Sequence, residues 1–548
     1  MSHSLQIALL VALLGLAPRT WRRLQLSRAK HPSLAGHARL SRLLSRLVPF
    51  YEYDVERAFA VDGAPEAIVE RRRSAFETLR AELSDRAPKT RAAMASLGSG
   101  VSDAQFTRLN RAPFQFRSLA ASLPGGGIAA ESRGVEITDL DGNRMLDIAG
   151  SYGVNLLGND FYRDCIDRGV KRARALGPVL GPYHPVLPDN VDRLRALSGL
   201  DEVSFHMSGT EAVMQAVRLA RYHTRRRRLV MFCGAYHGWW DGVQPGVGNR
   251  RSPRDIFMLR EMSDATLRVL DGRRDIACVL VNPLQALQPN RGAASDAMLI
   301  AGRNDTSFDR AAYAEWLRAL RAVCSRRGIA LVFDEVFLGF RLGPRGAQGF
   351  FGVEADLVTY GKTLGGGLPV GVLCGRSEWM RRYREDRPTD ICFARGTFNA
   401  HPYVMTCMNE FLQVATGEDF ARRAEEAPAL WDQRFAELNR QLGAEGLPVR
   451  LRNMVSVATV TYPQPGRYHW LLQFYLRAEG LSMGWIGTGR FIFSHDWTDA
   501  QFEEFARRFV AAARRMASDG WWWEGAPDRR SIGRQVLREL LARRLART

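Results

Sequence analysis

Three apolar runs set the terms on which this chain can fold: RLVMF (228–232), IACVLV (276–281) and GIALVFDEV (328–336). A strand with one wet face alternates polar and apolar residues. These do not alternate, so they read as strands buried on both faces of a parallel sheet. Between the last two, Tyr313, Trp316, Leu317, Leu320 and Cys324 share one face of a helix. Upstream, EVSFHM (202–207) reads as a strand and EAVMQAVRLARYH (211–223) as a helix. Strands alternating with helices specify an open, mostly parallel α/β sheet.

Around that sheet the chain divides into five stretches. Residues 1–104 read as an Arg-rich helical extension, as in ARLSRLLSRLVPF (38–50), closed by a turn-rich link, SLGSGVSD (96–103). Residues 105–165 begin a small domain. There SRGVEITDLDGNRMLDIAGSYG (132–153) reads as a hairpin turning at Asp141-Gly142-Asn143. The large α/β domain occupies 166–420. A smaller C-terminal α+β domain occupies 421–520, with a long helix, then MVSVATVTY (454–462) and RFIFS (490–494) as strands. The tail, 521–548, reads as a basic amphipathic helix.

LQIALLVALLGLA (Leu5 to Ala17) is too short to cross a bilayer and has no basic stretch before it to make a secretory signal. RTWRRLQLSR (19–28) follows, with Trp21 among arginines. Residues 5–28 therefore suit either an interfacial membrane anchor or a helix docked on the protein body. The chain has 77 Lys+Arg against 58 Asp+Glu, a net charge of +19. That excess suits a membrane surface or another anionic partner. No zinc-finger spacing or RNA-binding motif accompanies it, so nucleic acid is not expected. Seven cysteines without CxxC pairs point to reduced thiols and a cytoplasmic protein, with a peripheral place on the inner membrane face as the anchor's consequence.

Only four residues are lysine: Lys30, Lys89, Lys171 and Lys362. A chain that spells its cations as arginine has a reason for lysine where an amine must lose a proton and attack a carbonyl. Lys362 follows a strand-like run, 356–360, and precedes Gly365-Gly366-Gly367. Ser208, Gly209 and Thr210 stand at a strand-to-helix junction, where free amides favour a phosphate but where Ser and Thr also serve as plain caps. Tyr236, in FCGAYHGWWDG, falls at the carboxyl edge of the sheet, as a stacking ring or as a core aromatic. Asp334 and Glu335 end a very apolar strand, and a carboxylate there needs a cationic partner. A protonated pyridine nitrogen would serve, as would a helix cap. No histidine cluster supports a metal. Lysine, strand-end aspartate, phosphate cradle and aromatic are together the parts of a pyridoxal phosphate site.

These stretches resemble the class III pyridoxal phosphate-dependent aminotransferases, in their glutamate-1-semialdehyde aminomutase-like branch. The likeness runs through DLDGNRMLDIAGSYG, SGTEAVMQAVRLAR, GAYHGWWDG, RGTFNAHP and the long block FDEVFLGFRLGPRGAQGFFGVEADLVTYGKTLGGGLPVGVLCGR, over roughly residues 105–515. It implies fold type I with a helical N-terminal extension, a homodimer and an active site at the subunit boundary. It implies Lys362 as the Schiff-base lysine and Asp334 as the pyridine-nitrogen partner. Ser208, Gly209 and Thr210 would hold the phosphate, Tyr236 would stack on the ring with His237 beside it, and Val336 would pack on the other ring face. Thr397 would reach the phosphate of the neighbouring subunit.

Departures from the family pattern bear on the substrate. Gln115, in NRAPFQFRS, replaces an arginine taken to bind the substrate carboxylate. Asn282 replaces a glutamate in VNP, and Cys233 and Trp239 alter the CGAYHGW stretch. The site is thus less charged and more aromatic than one for glutamate-1-semialdehyde. VNPLQALQPN and FARGTFNAHP are similar to aminotransferase modules of polyketide and lipopeptide assembly lines. The expectation is a transaminase carrying an amino group from a small-molecule donor to a ketone or aldehyde, lipid-like or borne on an acyl carrier protein. An intramolecular aminomutase and a catalytically silent membrane-associated scaffold are the alternatives.

Overall fold

The computed structural model describes residues 18, 20–30, 39–110, 112–125, 127–244, 248–250, 253–290, 308–484 and 490–545. The apolar segment 5–17 lies outside them. The chain forms two compact units. One comprises the described residues of Met1–Arg46, Arg172–Gly292 and Asp309–Thr416, and the other those of Leu47–Lys171, Ala293–Phe308 and Gly417–Thr548.

The first unit is built on a seven-stranded sheet. Its order is Glu202–His206, Gly371–Gly375, Leu357–Gly361, Ala330–Asp334, Ile276–Val281, Arg228–Phe232, Ile256–Leu259. Gly371–Gly375 runs antiparallel to both its neighbours, and every other pairing is parallel. The three apolar runs form interior strands, buried throughout except for half-buried Arg228, as their lack of alternation requires. Helix Gly209–Thr224 covers the sheet with Val213, Ala216, Val217 and Ala220. Helix Arg310–Arg327 buries Tyr313, Trp316, Leu317, Leu320 and Cys324, the face read from its spacing. Helical residues 20–29 meet the sheet edge at their C-terminal end. Ala29 is fully buried, its carbonyl accepts the Arg260 amide at 2.8 Å, and Lys30 bridges Leu259. Trp21 and Leu24, nearer the start, are exposed.

The second unit contains the hairpin of Glu136–Asp139 and Arg144–Asp147, turned at Gly142 with φ +85°. Two expectations are corrected here. SLGSGVSD is not a turn-rich link: helix Pro88–Gly100 runs through most of it, and helix Ser102–Asn110 starts two residues later. Only Val101, extended at φ −117° and ψ 109°, breaks the two. Two glycines cost a helix about 1 kcal/mol each, which packing between neighbouring helices readily offsets. MVSVATVTY is likewise not one strand. Val455 adopts φ +50°, and the chain turns between Arg450–Met454 and Val457–Thr461, which pair antiparallel.

The tail is a helix, Arg529–Leu545, with an unexpected facing. Leu537, Leu541 and Leu545 are exposed, whereas Glu539 is buried. The Glu539 carboxylate accepts the hydroxyls of Tyr51 at 2.9 Å and Tyr53 at 2.6 Å, and pairs with Arg57 at 2.9 Å. Arg467 lies 3.8 Å away. A buried carboxylate is tolerable only with such a set of donors around it.

Candidate active site

All the parallel strands, and Glu202–His206 with them, end on one edge of the large sheet. In open α/β sheets that carboxyl edge is where ligands bind. Every candidate residue placed by the strand endings collects there. Asp334 terminates one strand, Lys362 follows the end of the next, Tyr236 and His237 follow Phe232, and Asn282 follows Val281.

Asp334 is held from several sides. Its Oδ2 lies 2.7 Å from His237 Nδ1, with both side chains buried. Its Oδ1 accepts the Val336 amide at 3.2 Å and the Thr359 hydroxyl at 3.3 Å. Thr359 is its register partner on the adjacent strand. A carboxylate accepting from an Nδ1–H fixes the imidazole tautomer and its orientation. Neighbouring Glu335 is buried as well. Burial pushes its carboxyl up to about 8, opposed by the Ala347 amide at 2.7 Å and reinforced by the charge of Asp334.

Lys362 opens a single 3-10 turn, Lys362–Gly365, and holds φ +50°. A left-handed backbone costs a non-glycine residue of order 1–3 kcal/mol, and such positions concentrate at functional sites. Its Nζ sits 4.4 Å from the centroid of the Phe337 ring.

Ser208 caps helix Gly209–Thr224, accepting the Glu211 amide at 3.2 Å, while Glu211 accepts the Met207 amide at 3.0 Å. The amides of Gly209 and Thr210 open the helix and have no acceptor within it. Glycines hold this corner tight. A Cβ at Gly209 would stand 2.5 Å from Val336 Cγ1, and one at Gly371 would stand 1.9 Å from the Ser208 carbonyl. At Gly238, φ +94°, a Cβ would meet Thr210 Oγ1 at 2.5 Å. The Tyr236–Gly238 loop, Val336 and the helix start therefore press on one another.

Tyr236 is 57% exposed, which removes the core-aromatic reading. Its phenol is raised by partial burial and by the charge of Asp334. Asn282 anchors its backbone, donating to the Tyr236 carbonyl at 3.2 Å while accepting the Leu284 amide at 3.2 Å. Trp239 is 76% exposed, and Thr397 is exposed on the loop that also exposes Phe393 and Phe398. Gln115 belongs to the second unit, where it is buried with Nε2 3.4 Å from the Tyr51 hydroxyl. Sequence alone does not single out Thr359 or Phe337. Strand register is what reveals Thr359, and Phe337 reads as one more apolar residue of its block. Among the described residues no cluster could hold a metal ion.

The family profile Aminotransferase class-III matches residues 127–244 and 304–512. Glutamate-1-semialdehyde 2,1-aminomutase of Nitratidesulfovibrio vulgaris (strain DP4) is 33% identical over 337 residues, 61% of this chain and 76% of that protein. The enzyme of the same name from Methanothermobacter thermautotrophicus is 31% identical over 338 residues, 56% of this chain and 74% of that protein. Among solved structures, an omega-transaminase from Sphaerobacter thermophilus aligns with TM-score 0.64 at 24% identity, covering 79% of this chain and 99% of its own. A glutamate-1-semialdehyde-aminomutase from Pseudomonas aeruginosa PAO1 aligns with TM-score 0.64 at 19% identity, covering 82% and 99%. At these identities the structures speak for the fold, which is that of the pyridoxal phosphate-dependent transaminases, fold type I. The profile match, extending over more than half of the residues, establishes that the chain belongs to the class III aminotransferases, enzymes that depend on pyridoxal phosphate.

Proposed function

We propose that this enzyme is a transaminase whose cofactor is held at the carboxyl edge of the large sheet, with a carbonyl acceptor that is apolar rather than a dicarboxylate-like molecule. The observation that carries the reading is the convergence on that edge of Asp334, braced by His237 at 2.7 Å, with Lys362 and the helix opened by Gly209. The residues present fit the group. The corner where a Gly209 Cβ would strike Val336 leaves bare amides for a phosphate, and Asp334 supplies a buried anion for a ring nitrogen.

Pyridoxal phosphate, when bound, supplies a ring that accepts electrons from the substrate carbon and carries the amino group between donor and acceptor. Lys362 Nζ would be the amine that holds the cofactor and the group that moves the proton at the substrate carbon. Asp334 would keep the ring nitrogen protonated. Ser208, Gly209 and Thr210 would hold the phosphate, Tyr236 would stack on one ring face with His237 beside it, and Val336 would pack on the other. Thr397, exposed beside Phe393 and Phe398, would reach the phosphate of the cofactor in a second copy of a homodimer.

The exposed indole of Trp239, three residues beyond Tyr236, supports an apolar acceptor. A lipid-like ketone or aldehyde, free or on an acyl carrier protein, suits that surface. The aminomutase reading draws on the names of the relatives, and it needs no external donor. A peripheral place on an anionic membrane is supported by exposed Trp21 and Leu24 in an arginine-rich helix, and no described helix is long and apolar enough to cross a membrane.

The deciding experiment is the visible spectrum of the purified enzyme titrated with single amines, followed by addition of carbonyl acceptors. A cofactor band that bleaches with a donor and returns with an aliphatic ketone or aldehyde supports the proposal. A band that ignores every donor while glutamate-1-semialdehyde is isomerised would favour the aminomutase. Absence of any cofactor band would favour the scaffold.

A further inference from the structure

The second unit carries a cleft of about 730 Å³ that contains none of the candidate active-site residues. Two helices and the hairpin make most of it. On helix Pro88–Gly100, residues Arg91, Met94, Ala95 and Gly98 recur at the spacing that puts them on one face, and all four line the cleft. Helix Glu66–Arg86 adds Arg80 and Leu83. Nothing lies within 4 Å of a Cβ placed on Gly98, so the wall there is open.

The charge on this wall is one-sided. Five arginines line it (Arg80, Arg86, Arg91, Arg144 and Arg477) against one carboxylate, Asp139. Asp139 is buried and already satisfied, accepting the amides of Asp141 and Asn143 at 2.9 Å and the Asn143 side chain at 2.9 Å. Arg80, Arg86 and Arg144 each pair with one glutamate, Glu77, Glu82 and Glu136, none of which lines the cleft. Arg91 is exposed and has no ion pair among the described residues. Leu83, Met94, Ala104, Ala120 and Leu123 supply apolar surface to the same cleft, alongside the hydroxyl residues Ser84, Thr90, Thr107 and Ser122.

We infer that this cleft binds a single-chain amphiphile with an anionic head, a fatty carboxylate or an alkyl or acyl phosphate. The volume falls in the range of ligand pockets, roughly 300–1,000 Å³. Guanidinium forks match carboxylate and phosphate oxygens, and the apolar floor takes the chain. The site does not rest on the proposed amino transfer: it belongs to the other unit and would stand if that reading failed.

The test is calorimetric titration of the holoenzyme with dodecanoate, dodecyl phosphate and dodecanol, each below its aggregation threshold. Wild type is compared with Arg91→Glu and Ala95→Trp, and thermal melts check that both variants are folded. At least one anionic probe is expected to bind saturably, one per chain, and its identity names the head group. Dodecanol and the Arg91→Glu variant should each bind at least about tenfold more weakly, the worth of one charge-assisted hydrogen bond. Ala95→Trp should fill the cleft and abolish binding. Equal affinity for dodecanol, binding untouched by Arg91→Glu, or no saturable binding of either anion to wild type would overturn the inference. Should Ala95→Trp fail to fold, the Arg91→Glu comparison decides.

Discussion

His237 Nδ1 stands 2.7 Å from Asp334 Oδ2, with neither side chain open to solvent. Residues 97 positions apart thus form one buried unit at the sheet edge. A buried hydrogen bond to a charged group contributes about 1.5–3 kcal/mol. His237→Ala should therefore weaken cofactor retention by roughly tenfold to a hundredfold. Thr359→Val removes a longer contact from a neutral hydroxyl, 3.3 Å, and should cost less than about tenfold. Equilibrium dialysis against free cofactor measures both.

Lys362→Ala should abolish turnover and covalent attachment together. Borohydride treatment followed by intact mass determination is the check: wild type gains the mass of the cofactor and the variant does not. A variant that still gained it would place attachment on another amine, and Lys30, Lys89 and Lys171 are the only other lysines in the chain.

The corner between Gly209 and Val336 predicts a suppressor. Gly209→Ala drives a methyl to 2.5 Å from Val336 Cγ1, an overpacking expected to cost about 1–3 kcal/mol. Thermal melting and cofactor affinity should both fall. Adding Val336→Ala removes the obstructing methyls and should recover part of the melting temperature. If the double variant melts no higher than the single one, the contact is not the source of the loss.

Glu335 and Glu261 give the first unit a pH dependence of unusual sign. Burial holds each carboxyl near 8 in the folded state, against an ordinary 4.5. Between those values the folded chain keeps a proton that the unfolded chain has released, so stability falls as pH rises from about 4.5 to 8. The slope is at most about 1.4 kcal/mol per pH unit for each group. Glu335→Gln cannot titrate and still offers an oxygen to the Ala347 amide. Denaturant melts at pH 5 and pH 8 should show stability changing less unfavourably with pH in the variant than in wild type, the difference being the share of Glu335.

The sheet was legible because RLVMF, IACVLV and IALVF are too apolar to face water on either side, and nothing but a central strand accepts them. Lys362 and Asp334 were legible for the opposite reason: an amine in an arginine chain and a carboxylate ending an apolar strand both demand explanation. What brings His237 to Asp334 is strand order, which no local window contains. Val455 gave no warning of its turn, since a β-branched residue at φ +50° contradicts its own preference. Glu539 misled most simply. One acid in a basic helix reads as solvated, and only the placement of Tyr51, Tyr53, Arg57 and Arg467 makes it the inward residue.

That inward glutamate also bears on the order in which the enzyme is made. Tyr51 and Tyr53 leave the ribosome before any strand of the large sheet and Glu539 after all of them. The first unit can complete its sheet while translation continues, whereas the second must hold the segment carrying Tyr51 and Tyr53 unfinished until Glu539 has been made.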